Sequence, residues 1–158
     1  MTQAFLRRFL IATICATGLS ACTAAPPAAA PSSATTTMTK PDSPLRNTYW
    51  KLVSLHGKPV TAADQQREAH IVFSSQENRI SGSSGCNRMM GGFEENADQL
   101  KFKSLGGTRM ACQQGMDLET RFLQALLTVA SYRILGEHMD LLDANGAIVA
   151  SFDAVALQ

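Results

Sequence analysis

Residues 23–47 limit how much of this chain can fold. Ala, Pro, Ser and Thr dominate the segment, and it contains almost no large apolar side chain. Such a segment cannot bury enough apolar surface to offset the entropy of ordering its backbone. We therefore predict a flexible tether at residues 22–46. One domain, residues 47–158, remains, and its length of about 110 residues is enough for a single modest core.

A short apolar run before the tether is typical of a lipoprotein signal peptide. Arg7 and Arg8 precede it, and it is too short to span a bilayer as a mature helix. It ends in Leu-Ser-Ala-Cys at residues 19–22, the order that a lipoprotein signal peptidase recognises. We predict that residues 1–21 form the signal peptide and are removed by cleavage before Cys22, and that Cys22 carries a lipid modification that includes palmitate. An ordinary secretory signal with a chance cysteine is the alternative.

The anchor predicts the location and the class of partner. Thr23 follows the lipidated cysteine, where an Asp favours retention in the inner membrane of many Gram-negative bacteria. We therefore expect a lipid-anchored domain in the cell envelope, at the periplasmic face of the outer membrane rather than at the inner membrane. Loss of the signal removes two of the 14 basic residues and none of the 13 acidic ones, so the net charge is close to −1. Nucleic-acid binding would need a basic patch or stripe, so no nucleic-acid partner is expected.

Two cysteines remain for the folded domain. Cys15 leaves with the signal peptide and Cys22 carries the lipid, so Cys86 and Cys112 form an even pair in a compartment that permits disulfides. A disulfide between them would stabilise the domain by about 3.5 kcal/mol in the chain-entropy model. Two free, buried thiols are the open alternative. No metal site is expected, because these cysteines and the distant histidines match no usual ligand spacing.

Hydrophobic patterns in the domain predict strands for most of its length. Aromatic and β-branched residues fill 49–55, and apolar residues alternate with lysines at 100–103. Further strands are predicted at 71–73 and 79–83, on either side of a turn at 75–78. Asn145-Gly146 is a strong hairpin signal between two apolar runs near the C-terminus.

Residues 116–130 are the exception to this pattern. Leu118, Phe122, Leu126 and Val129 recur at helical spacing, with acidic residues at the start where a helix favours negative charge. We predict a mainly β (α+β) fold: a small, strongly bent antiparallel sheet or partial barrel with one packed α-helix.

The glycine-rich residues 81–93 surround Cys86 and Asn87. Glycines at this density allow left-handed backbone or the close approach of another segment. A nucleophilic Cys86 would need a nearby base such as His70 or His56, and the sequence gives no sign of one. The segment also lacks the Lys of a phosphate-binding P-loop and the Gly-x-Ser-x-Gly of serine hydrolases. We predict a structural turn, no catalytic residue and no cofactor.

Several short motifs together resemble the META domain of the HslJ family. They comprise an opening tryptophan, a Gly-Cys-Asn segment, a Met-Ala-Cys segment and positions on the helix: Trp50, Gly82, Gly85, Cys86, Asn87, Gly92, Thr108, Met110, Ala111, Cys112, Glu119 and Phe122. The resemblance covers about residues 46–154. It implies a compact, mainly β fold with one helix in secreted or lipid-anchored proteins, linked to heat shock, to motility or secretion and to novobiocin tolerance. It implies no accepted catalytic residue.

The anchor and the lack of a catalytic constellation predict a non-enzymatic envelope lipoprotein. Its domain, expected to be monomeric, would bind an unidentified envelope protein or peptide and support envelope integrity or stress and antibiotic tolerance. A module that binds or inhibits a peptide or small hydrophobic ligand is the main alternative, and a Cys86-dependent enzyme is a third. Arg88, Arg109 and Arg133 could form an anion patch, although surface charges need no such role.

The lipid anchor is directly testable. Cys22→Ser removes the thiol that accepts the lipid, so the variant is expected to lose palmitate labelling and to leave the membrane fraction. The measurement is metabolic palmitate labelling with fractionation, and Cys15→Ser is the matched control that should keep both properties. A Cys22→Ser protein that stays labelled and membrane-bound would contradict the prediction.

Overall fold

Nine β-strands and one α-helix make up residues 41–62 and 66–155, the parts described by a computed structural model. The strands in chain order are β1 (Tyr49–Leu55), β2 (Lys58–Pro59), β3 (His70–Phe73), β4 (Arg79–Ser83), β5 (Arg88–Asn96), β6 (Gln99–Gly107), β7 (Val129–Leu135), β8 (His138–Asp143) and β9 (Ile148–Val155). The helix, α1, spans Met116–Thr128 between β6 and β7. The predicted signal peptide, Cys22 and the tether up to residue 40 lie outside the described residues.

All nine strands belong to one antiparallel sheet that curves strongly. Their order is β2-β1-β3-β4-β5-β6-β7-β8-β9, and β1 also pairs with β9, so the last strand returns to the first. The pairing is thinnest between β6 and β7, which share the single registered pair Gln99↔Ser131. The predicted mainly β fold with a strongly bent antiparallel sheet is confirmed.

The core lies inside this curve, where alternate strand residues meet. Trp50 on β1 is fully buried, and its indole N–H donates to the carbonyl oxygen of Leu45 at 2.9 Å. The rings of Phe73 and Phe93 meet edge to face, with centroids 5.1 Å apart. Both arrangements are those that buried aromatic side chains prefer, because the polar N–H has a partner and the ring quadrupoles attract.

Helix α1 covers the core with the stripe that the sequence predicts. Phe122, Ala125 and Leu126 are buried, and the Phe122 ring lies 6.0 Å from that of Phe152 on β9. The helix ends at Thr128 rather than at residue 130, because the backbone of Val129 is extended and begins β7. Within the described ranges, no helix is long and apolar enough to cross a membrane.

The glycine-rich segment is strand as well as turn. Residues 81–83 belong to β4 and residues 88–96 to β5, and only residues 84–87 between them form the turn. Gly82 is needed where β4 pairs with β3, because a side chain there would collide with the carbonyl oxygen of His70. The turn has Gly85 at φ +101°, a conformation that side-chain-bearing residues rarely adopt. Both uses of glycine that the sequence suggested therefore occur.

The folded part begins before residue 47. Leu45 is buried in the core, and the Arg46 guanidinium donates to Glu95 Oε2 at 2.9 Å and to the carbonyl oxygens of Ser74 and Glu77 at 3.1 Å. Its Cζ also lies 4.7 Å from the centre of the Phe93 ring. Leu45 and Arg46 thus pack with the domain, although composition placed them in the tether.

Truncating the helix stripe tests this packing. Phe122→Ala removes a fully buried ring and is expected to lower the free energy of unfolding by about 3–5 kcal/mol. Leu127→Ala, on the same helix at a side chain that is 65% exposed, should change it by no more than about 0.5 kcal/mol. Urea denaturation of the two variants makes the comparison, and equal losses would contradict the packing of α1.

Candidate functional site

The side chain of Asn87 joins three separate segments of the chain. Its Oδ1 accepts hydrogen bonds from the Met110 N–H and the Thr108 hydroxyl, both at 2.8 Å. Its Nδ2 donates to Glu119 Oε2 at 3.0 Å and to the Met110 carbonyl oxygen at 3.2 Å. The turn before β5, the segment after β6 and the first turns of α1 are therefore fixed to one amide group.

Glu119 completes this arrangement with a carboxylate that accepts from neutral donors. The Ser84 hydroxyl donates to Oε2 at 2.7 Å, and the Asn87 backbone N–H donates to the same oxygen at 3.1 Å. We call Ser84, Asn87, Thr108, Met110 and Glu119 the Asn87–Glu119 network. In the described ranges, every buried side-chain nitrogen or oxygen has a hydrogen-bond partner. Ser84 and Asn87 are buried and Glu119 is half-buried, and a fully satisfied network of this kind holds a single rigid arrangement.

Cys86 and Cys112 link the same two segments covalently. They form a disulfide with a Cα–Cα distance of 6.0 Å, as the cysteine count predicted. Asn87 Nδ2 lies 3.4 Å from the Cys86 sulfur, and the thioether sulfur of Met116, the first residue of α1, lies 3.6 Å from it. A disulfide sulfur is no thiolate, so Cys86 has no free nucleophile in this state.

A surface depression of about 440 Å³ opens over the disulfide. Arg67 and Arg88 line it together with Met110 and both cysteines. The Met110 side chain is 64% exposed, which is unusual for a residue type that is most often buried. The depression and its lining are called the disulfide face below.

A second groove, of about 330 Å³, is lined in part by Ser84, Asn87 and Glu119 of the network. The end of β6 and the helix form its walls, through Gly106, Gly107 and Leu123, and Arg88 and Arg109 also line it. Of the three arginines that could have formed an anion patch, two therefore share this groove. Arg133 lies on β7, where it pairs with Asp140 at 2.7 Å.

Asp140 is the centre of a structural cluster on β7, β8 and β9. Burial by itself would raise the pKa of Asp140, but hydrogen bonds from Arg133 and Ser151 and the charge of nearby His138 lower it below its ordinary value. The stabilisation from this group is present above the ordinary pKa of Asp and is lost as pH falls through the lowered value. Ser151 donates to Asp140 at 2.8 Å rather than to His138, so the cluster lacks the contact of a serine nucleophile with its base.

The histidines considered as bases have other positions. His70 stacks on Tyr49, with ring centroids 4.2 Å apart. Burial and a hydrogen bond to Glu68 raise the pKa of Tyr49 to about 12, so the ring stays neutral. His56 is exposed in the turn between β1 and β2. Within residues 41–62 and 66–155, no group of three His, Cys, Asp or Glu side chains is placed to hold a metal ion.

Most motif positions from the sequence meet in or beside the network. Asn87, Thr108 and Met110 belong to it, and Gly85 forms its turn. Trp50 and Gly82 instead serve the core and the β3–β4 pairing, and Ala111 is exposed beside Met110. Sequence reasoning missed the role of Glu119, whose only signal was its place among the motif positions.

These features define a small, single-helix β domain with a disulfide-linked turn, and the comparisons with known proteins show its family. A family model for the META domain matches residues 43–156, so the chain belongs to the META domain family. An NMR structure of a protein from Burkholderia xenovorans is 31% identical, covers 72% of this chain and 85% of its own, and has a TM-score of 0.61. A second NMR structure is 27% identical, covers 68% and 89%, and has a TM-score of 0.54. The comparison with curated proteins gives no match.

The charge balance of the network is tested by Asn87→Asp. The new carboxylate removes the Nδ2 donor and faces Glu119, so at pH 7 the free energy of unfolding should fall by about 3 kcal/mol. At pH 4.5 one carboxyl can keep a proton and donate it to the other, so the loss should shrink. Urea denaturation at both pH values measures this. Asn96→Asp, at an exposed position, is the control, with an expected change within about 0.5 kcal/mol.

Proposed function

We propose that this META domain protein is a non-enzymatic, lipid-anchored envelope protein that binds a partner through its disulfide face. The proposal rests on one observation: the motif residues are engaged in structural hydrogen bonds and in the disulfide. The side chain of Asn87 is hydrogen-bonded to Thr108 and Met110 and holds their segment in place. The Cys86 sulfur is bonded to Cys112. The motif therefore stabilises a surface instead of supplying a reactive group.

The composition of the disulfide face supports partner binding. An exposed methionine, Met110, lies beside Arg67 and Arg88, and Met and Arg are both enriched at protein–protein interfaces. The face is also preorganised, since the network and the disulfide fix its backbone before any partner arrives. Preorganisation lowers the entropy cost of binding.

The predicted anchor and tether support a role at the envelope. Because Leu45 and Arg46 pack with the domain, the predicted tether comprises residues 22–44, and a flexible chain of that length has a root-mean-square reach of about 24–29 Å, so the face would meet partners away from the lipid surface. The link of the resembling family to heat shock and novobiocin tolerance is consistent with support of the envelope under stress.

A module that binds a peptide or small ligand is the second candidate. The groove between β6 and α1 favours it, because the exposed Gly106 and Gly107 leave backbone accessible to an extended peptide. Large buried side chains fill the interior of the sheet, so such a ligand would bind at the surface. The Cys86-dependent enzyme is disfavoured, because the disulfide removes its thiolate.

Substitution on the disulfide face tests the proposal in a deletion strain of the source bacterium. Met110→Asp places a charge on this face, and complementation with it is expected to fail under heat, detergent and novobiocin. Met90→Asp is the matched control, since Met90 is 54% exposed on β5 and does not line the depression. It should restore growth like the wild-type chain.

Immunoblots and urea denaturation first confirm that both variants accumulate, reach the membrane and fold. With that established, growth of the Met110→Asp strain equal to that of the Met90→Asp strain would remove the disulfide face from the function. A deletion strain that grows normally under all three stresses would remove the stress role itself.

A further inference from the structure

Three sulfur atoms from three segments lie together at the disulfide face. Cys86 and Cys112 supply two of them, and the Met116 thioether sulfur lies 3.6 Å from the Cys86 sulfur. Met116 is 42% exposed, so the contact is not explained by burial of its side chain in the core. The two cysteines line an open depression, which gives an ion in solution a path to their sulfur atoms.

Hydrogen bonds outside the disulfide hold these three segments in place. Asn87, next to Cys86, is bonded to both the N–H and the carbonyl oxygen of Met110, two residues before Cys112. Glu119, one helical turn after Met116, accepts from the same asparagine. None of these bonds involves a sulfur atom, so we expect them to persist when the disulfide opens and to keep the two thiols near each other and near Met116.

The distances between the sulfur atoms suit a three-coordinate metal ion. Metal–sulfur bonds of about 2.3 Å in a trigonal plane place the sulfurs about 4 Å apart. The contact of Cys86 with Met116, at 3.6 Å, is already close to that value. With their Cα atoms 6.0 Å apart, the two cysteines can reach it by rotating their side chains.

We propose that reduction of the Cys86–Cys112 disulfide creates a binding site for one cuprous ion, held by the two thiolates and the Met116 thioether. The reductant is a dithiol, such as a reduced thiol–disulfide oxidoreductase. Two electrons and two protons pass from the dithiol to the protein disulfide, giving two cysteine thiols and an oxidised dithiol. Binding of Cu(I) then releases the two thiol protons.

The ligand set selects Cu(I) over the other common metals. Thiolate and thioether sulfurs are soft ligands, which favour the soft cuprous ion, whereas zinc prefers four ligands in a tetrahedron. Two thiolates and Cu(I) together carry one negative charge. Arg67 and Arg88 line the same depression, and neither has an ion-pair partner among residues 41–62 and 66–155, so their positive charges stabilise the complex.

Sequence spacing could not suggest this site. Sequence patterns for metal sites are built from Cys and His, so they do not include a methionine thioether. Met116 is the first residue of α1, four residues after Cys112. The site does not depend on the proposed partner, since its ligands are all in this chain.

Competition for Cu(I) tests the proposal with the mature, lipidated chain in detergent, which is predicted to lack Cys15 and to have no free thiol at Cys22. The protein is reduced with a phosphine under anaerobic conditions, freed of reductant and titrated against the coloured Cu(I)–bicinchoninate complex. The reduced wild-type chain is expected to withdraw one equivalent of copper, and the oxidised chain none. X-ray absorption should then show three sulfur neighbours and no nitrogen or oxygen.

The Cu(I) affinities of two conservative variants show whether Met116 is a ligand or only an exposed methionine. Loss of an outer-sphere partner alone costs about 10- to 100-fold in metal affinity, so Met116→Leu, which removes a ligand, should weaken binding at least about tenfold. Met90→Leu makes the same exchange on β5 away from the sulfurs and should leave the affinity unchanged. Both side chains are more than 40% exposed, so neither exchange disturbs the core.

Three results would overturn the proposal: no copper uptake by the reduced wild-type chain, equal uptake by the oxidised chain, or a Met116→Leu affinity equal to that of Met90→Leu. Tighter binding of zinc than of Cu(I) would also overturn the assignment of the metal. None of these outcomes bears on the growth phenotype of Met110→Asp, so this inference and the proposed function can fail separately.

Discussion

The amide of Asn87 is the interaction on which the architecture of this face depends. It binds backbone groups of Met110 and a carboxylate oxygen of Glu119, which belong to a segment without regular structure and to a helix whose N-cap, Gly115, offers no side chain. Each hydrogen bond adds only about 1 kcal/mol net, but a buried group left without a partner would cost about 1–3 kcal/mol. The network is therefore stable as a unit and sensitive to the loss of any one member.

The elements that sequence reasoning predicted correctly are those with a strong local period. The aromatic and β-branched run of β1 and the apolar stripe of α1 each fix which face is buried, whatever the rest of the chain does. β5 was missed because Gly91 and Gly92 suggest a turn, yet here they lie in a strand that pairs on both sides. A side chain at Gly91 would press against Leu105 of the neighbouring strand, and such a cross-strand contact has no signature in the local sequence.

The residues of the site differ in the same way, because some could be predicted from local sequence and others depend on the fold. Counting cysteines in an oxidising compartment was enough to pair Cys86 with Cys112, because the alternatives were few. The participation of Glu119 needed the fold, since the helix brings it to Asn87 across 32 residues of chain. Arg46 is a similar case: its contacts with Glu95 and Phe93 follow from the curvature of the sheet, while its neighbours in sequence resemble a linker.

Helix α1 couples the core to the disulfide face. The sheet is thinnest between β6 and β7, and the helix, which leads directly into β7, packs against β6 and β9 through Phe122 and Leu126. Its first residues carry Glu119 into the network and Met116 to the disulfide. A helix anchored at one end by apolar burial and at the other by hydrogen bonds has little freedom to slide or rotate. The positions of the carboxylate and the thioether are therefore set by core packing as much as by their own contacts, and a change in the core would reach the surface through this element.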